Sequence, residues 1–117
     1  FGDADILLVG DYNCYTQEQP IQTIIRAGYE DMVMRYDSTG YSYIYNSEVG
    51  YLDRVFASPT MVAQIQQVSP YHLNADYFYT RGYKRGLDKT IYRYADHDPI
   101  LISVRLVEDN ADNYNQQ

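Results

Sequence analysis

Three short polar segments stand at the ends of apolar stretches, and each offers side chains that do chemistry on phosphate or water. In Gly10-Asp11-Tyr12-Asn13 a carboxylate and an amide lie two residues apart. The carboxylate can hold or deprotonate a water, and the amide can donate to a phosphoryl oxygen. The same pair also suits an Asx-type turn, in which both side chains bond local backbone. Asp53 sits inside the apolar stretch Leu52-Asp53-Arg54-Val55-Phe56, where an acid faces solvent or is held by a partner. Arg54 lies on the other face of a strand, so the two charges do not simply pair. Asp96-His97-Asp98-Pro99 supplies an imidazole flanked by carboxylates. A carboxylate on one ring nitrogen fixes tautomer and charge and leaves the other nitrogen for acid–base work or phosphate. These groups could equally ligate a hard cation or zinc, or merely cap a loop broken by proline. The second histidine, His72, falls in a predicted strand and reads as structural.

The elements that must position these groups follow from the pattern. Asp5–Val9 is a continuous apolar run closed by Gly10, as in a strand buried on both faces, with Gly10–Asn13 as the loop after it. Gln19–Gly28 reads as a helix, with Pro20 in the first turn, Ile21, Ile24 and Ile25 on one face, and Gly28 after the C-terminus. Tyr41–Tyr45 alternates as a strand, residues 46–50 turn, and Tyr51–Ala57 returns as the second arm of that hairpin. Ser58 caps a short helix that begins at Pro59 and reaches about Gln67. Val68–Leu73 is a further strand, 74–94 a polar, tyrosine-rich connection, and Pro99–Val107 the closing strand. Strands and helices in this order predict an α/β or α+β layered fold, with residues 1–107 as the domain and 108–117 as a polar, frayed tail.

Composition sets bounds. The 117 residues suffice for one domain, and 45% hydrophobic with 21% charged residues is the composition of a globular chain. No apolar run approaches the roughly 18 residues that span a bilayer, so no membrane partner is expected. The single cysteine, Cys14, forms no internal disulfide. The net charge of -7 argues against indiscriminate nucleic-acid binding. Yet Arg81, Lys84, Arg85, Lys89 and Arg93 account for five of the nine basic residues, so an anionic substrate has a local place to bind.

Taken in order, Gly-Asp-x-Asn, Leu-Asp-x-Val-Phe and Asp-His-Asp-Pro before a last strand resemble the endonuclease/exonuclease/phosphatase family related to DNase I, and within it the bacterial extracellular nucleases. Pro20-Ile21-Gln22, Ala27-Gly28-Tyr29-Glu30-Asp31, Tyr41-Ser42-Tyr43, Gly50-Tyr51-Leu52-Asp53, Ala57-Ser58-Pro59 and Leu73-Asn74-Ala75-Asp76 extend the similarity from about Asp5 to Leu106. Ala95 departs from the family's usual Ser and Arg54 from a frequent His. The resemblance implies one half of a DNase I-like four-layer β-sandwich and metal-dependent phosphodiester hydrolysis of DNA or RNA. Asp11 would orient or deprotonate the attacking water, and Asn13 would bind the scissile phosphate. His97 would stabilise the transition state and Asp53 would orient His97. Asp96 would lie at the site of Mg²⁺, or of Mn²⁺ or Ca²⁺, and Arg81, Lys84, Arg85 and Arg93 would contact substrate. A phosphomonoesterase or a sphingomyelinase-like phospholipase shares that core, and a non-catalytic assembly module is the reading from another class. The family's metal-binding Glu and first catalytic His precede the Gly-Asp-x-Asn block. The expectation is therefore a C-terminal half-domain, inactive alone, that pairs with its N-terminal half or with a second copy of itself. By resemblance the protein is extracellular or periplasmic.

Overall fold

A computed structural model describes residues 3–77 and 94–106. The basic segment with Arg81, Lys84, Arg85, Lys89 and Arg93, and the 108–117 tail, lie outside the described residues. The chain is mixed α+β. Its described elements are β1 (Leu7–Asp11), α1 (Gln19–Arg26), β2 (Glu30–Asp31), α2 (Met32–Tyr36), β3 (Tyr43–Tyr45), β4 (Glu48–Gly50), β5 (Asp53–Ala57), α3 (Pro59–Val62), β6 (Ile65–Pro70) and β7 (Ile100–Val104).

The described strands make a three-stranded sheet in the order β1-β5-β2 and two ribbons, β3-β4 and β6-β7. Every described pairing is antiparallel. β5 is the central strand, and Arg54 through Ala57 are all buried. Its side chains alternate between two faces. Val55 and Ala57 enter a core with Met32, Val33, Met61, Ile65 and Val68, against which Leu7, Ile100, Ile102 and Val104 pack. Phe56 is fully buried outside that cluster and meets the Tyr12 ring edge-on, 5.4 Å between centroids.

Arg54, 1% exposed, goes with Phe56 to the second face. Its Nη1 donates to Asp31 Oδ2 at 2.8 Å, and its Nη2 donates to the Cys14 and Tyr51 carbonyls and to Thr16 Oγ1. Asp31 also accepts from the Tyr51 hydroxyl at 2.5 Å and from Met34 N at the start of α2. Burial and the bond to Asp31 push the Tyr51 phenol well above its ordinary range. A buried pair with all these bonds fixes the 12–18 loop against the sheet.

The structure corrects several sequence expectations. β1 is not buried on both faces: Val9 is 58% exposed, and among the described residues β1 pairs with β5 alone. The doubly buried pattern belongs to β5. Gly10 and Asp11 lie within β1 rather than in the loop after it. The hairpin closes with β4 at Gly50, and residues 53–57 leave it as a separate strand that pairs with β1 and β2. Asn46 and Ser47 both have positive φ, 50° and 67°, the signature of a two-residue I′ turn that closes the 43–50 hairpin. α3 stops at Val62, because Ile65 starts β6, and that strand ends at Pro70, leaving His72 beyond it. Ser58 occupies the N-cap position, but its hydroxyl donates instead to the Ala4 carbonyl and accepts from Ile6 N. α1 matches the expectation: Pro20 is in its first turn, Ile21 is its buried residue, and Gly28 follows with φ 97°.

Candidate functional site

The site is built where β1 meets β5. Asp11 and Asp53 are direct cross-strand partners. Tyr12 N donates to the Leu52 carbonyl at 3.1 Å, which makes the 11/53 pair the non-hydrogen-bonded kind, where facing side chains come closest. Two like charges so placed repel each other. His97 joins the pair: its Nδ1 lies 2.7 Å from Asp53 Oδ2. Asp11, Asp53 and His97 each offer a ligand atom, and these atoms lie within 4.8 Å of one another.

His97 is held from three sides. It is the bridge partner of Tyr43, again in a non-hydrogen-bonded pair, since Asp98 N donates to the Ser42 carbonyl at 2.7 Å. The Tyr43 ring lies against the imidazole, 4.6 Å between centroids. Asn74 Nδ2 donates to the His97 carbonyl at 2.8 Å. Ser42, fully buried, donates its hydroxyl to the same Asp53 oxygen and accepts from Asp53 N at 3.2 Å. With Nδ1 engaged, His97 Nε2 has no partner among the described residues. The ring keeps 23% of its side-chain surface exposed.

Asn13 is exposed, with a left-handed φ of 46°, and its N–H donates to Asp11 Oδ1 at 2.8 Å. The Asx-type turn is therefore present. It ties Asn13 to Asp11 while the second Asp11 oxygen has no partner among the described residues. Asp96 is exposed and is not part of the Asp11–Asp53–His97 group. A cleft of about 210 Å³ runs from Val9 and Gly10 past Asp53 to Asp98 and Ile100, and of the three grouped residues Asp53 alone lines it. Two other clefts, of about 300 and 480 Å³, line the β6-β7 ribbon and contain none of these groups.

Sequence reasoning missed what supports the histidine. Asp98 is 2% exposed. Its Oδ1 accepts the N–H groups of Leu73, Asn74 and Ala75, and its Oδ2 meets His72 Nδ1 at 2.8 Å. His72 in turn stacks on Tyr41, whose hydroxyl donates to Asp76. That bond, with burial, raises the Tyr41 pKa to about 12. Asp98 read as a loop cap because its partners lie 23 to 26 residues away. The one local signal was a charged residue wedged between His97 and a proline. Ser42 carried a signal too: a small polar residue between two tyrosines in an alternating strand.

No family model, no curated protein and no solved structure matches this chain.

Proposed function

We propose that this chain carries part of a phosphodiester-hydrolysing centre, with nucleic acid as the substrate. The observation that carries the reading is the Asp53–His97 hydrogen bond set beside Asp11 at the β1–β5 junction. In support stands the ordered resemblance to the DNase I-related nucleases, whose half-sandwich layering we propose for the α+β fold. Asp53 accepts from Nδ1–H and so presents His97 Nε2 as the donor to a phosphoryl or leaving oxygen. The free oxygen of Asp11 accepts a proton from, or orients, a water for in-line attack. Asn13 donates to a non-bridging oxygen, from a turn that Asp11 itself organises.

Two carboxylates and an imidazole suit a divalent cation in general and select no particular metal. Their mutual repulsion is the feature of this site that a cation would relieve. We propose Mg²⁺, Mn²⁺ or Ca²⁺, held by Asp96 as the resemblance implies or by the carboxylates of Asp11 and Asp53, which leaves His97 as the donor. When bound, the ion supplies charge neutralisation at the phosphoryl oxygens. A phosphomonoesterase or phospholipase would use the same groups. Secretion and association with a further segment or a second copy belong to the same proposal.

The test is hydrolysis of bis(p-nitrophenyl) phosphate by the longest native polypeptide that contains this chain. His97→Ala should lower turnover by about 10²–10⁴-fold. Turnover that survives His97→Ala unchanged returns the chain to the binding-module reading.

A further inference from the structure

The imidazole of His97 is the inner end of a row of rings. Tyr43 lies against it, at 4.6 Å and 34°. Tyr45 continues the row on the same face of β3, its ring 6.3 Å from that of Tyr43 and 10° from parallel. Exposure rises outward along the row, from a partly buried Tyr43 to Tyr45 at 63%. Tyr45 immediately precedes the two-residue turn at Asn46 and Ser47, so it stands on short, well-fixed backbone. Its cross-strand partner is the exposed Glu48.

Two near-parallel rings of this kind form a stacking platform. Nucleobases stack on such rings irrespective of sequence, because every base has a π-face. A base already paired in a duplex has its faces taken by its own neighbours. Resting on the phosphodiesterase reading, we infer that Tyr45, backed by Tyr43, binds an unpaired base next to the phosphate at His97, and so that the preferred substrate is single-stranded nucleic acid. A phosphomonoester without a base or a lipid headgroup gains nothing from this row. Tyr45 is here a specificity residue, separate from the groups that act on phosphate.

The experiment measures anisotropy of a fluorescent hexathymidylate with phosphorothioate linkages, in Mg²⁺ at low ionic strength, binding to the longest native polypeptide that contains this chain and to its Tyr45→Ala and Tyr45→Phe variants. An abasic oligomer of equal length and charge is titrated in parallel. Tyr45→Ala should weaken hexathymidylate binding roughly tenfold, Tyr45→Phe should match wild type, and the abasic oligomer should bind all three alike. Hydrolysis of bis(p-nitrophenyl) phosphate by the wild type is measured alongside. Equal hexathymidylate affinity for wild type and Tyr45→Ala overturns the stacking site and leaves the phosphodiesterase reading standing. Hydrolysis of the small diester without any oligomer binding overturns nucleic acid as the substrate. Absence of both removes the proposal together with the reading on which it rests.

Discussion

Removing the Asp98 carboxylate should be among the most damaging single changes in this chain. Asp98 is 2% exposed and accepts three consecutive backbone N–H groups, those of Leu73, Asn74 and Ala75, at 3.1, 2.8 and 2.9 Å. The Asn74 and Ala75 amides are themselves buried. In Asp98→Ala these two donors lose their acceptor, at about 1–3 kcal/mol each, and His72 loses its partner. The sum is about 4 kcal/mol, a large share of the 5–15 kcal/mol that holds a typical domain. Asp98→Asn keeps an acceptor oxygen for the loop but gives up the charge, so about half that loss is expected. Urea denaturation followed by far-ultraviolet circular dichroism reads the difference. With a slope of about 2 kcal/mol per molar, Asp98→Ala should move the midpoint down by about 2 M. The site should respond as well, because the loop that Asp98 pins carries the Asn74 amide bonded to the His97 carbonyl. A midpoint for Asp98→Ala within about 0.5 M of wild type would refute the claim that this carboxylate holds the 73–75 loop.

Arg54→Met should cost about 3–5 kcal/mol, because it strands the buried Asp31. Adding Asp31→Asn should recover part of that loss, and a double-mutant cycle in urea measures the coupling. Asp11→Asn should raise stability by about 0.5 kcal/mol at pH 8 without divalent ions, since it removes one of two facing like charges. Added Mg²⁺ should then stabilise wild type more than the variant in a thermal melt. Alkali should destabilise the fold between about pH 10 and 12. The unfolded phenols ionise near 10.0 while Tyr41 holds its proton to about 12 and Tyr51 higher still, so the native state binds more protons across that window. Urea midpoints at pH 9, 10 and 11 should fall less steeply in Tyr51→Phe.

Local chemistry was legible in the sequence where neighbours in the chain decide the outcome. Pro20, the isoleucine spacing and Gly28 define α1 because caps and periodicity act within one or two turns. Asp11, Asp53 and His97 stood out as chemical types, and the structure brings those three together, with Asn13 bonded to Asp11 and Asp96 apart from the group. What the sequence hid is pairing over distance. The apolar run at Asp5–Val9 resembles a central strand, yet β5 holds the centre while carrying Asp53 and Arg54, residues that lower its apparent hydrophobicity. Arg54 is buried because Asp31, Cys14 and Thr16 receive it from 23 to 40 residues away. The return arm of the hairpin, expected at Tyr51–Ala57, is Glu48–Gly50 instead, because Gly50 ends the pairing with β3 and Asp53 begins another with β1. Sequence periodicity carries no trace of such a change of partner.

Asp11, Asp53 and His97 offer ligand atoms within 4.8 Å of one another, and we propose that they act together on a phosphodiester. Plasmid nicking by the longest native polypeptide containing this chain, with Mg²⁺ against EDTA, tests it most directly. Nicking should require the ion and should fall by about 10²-fold or more in both His97→Ala and Asp11→Ala. No nicking with Mg²⁺, Mn²⁺ or Ca²⁺, or full nicking by His97→Ala, would contradict it.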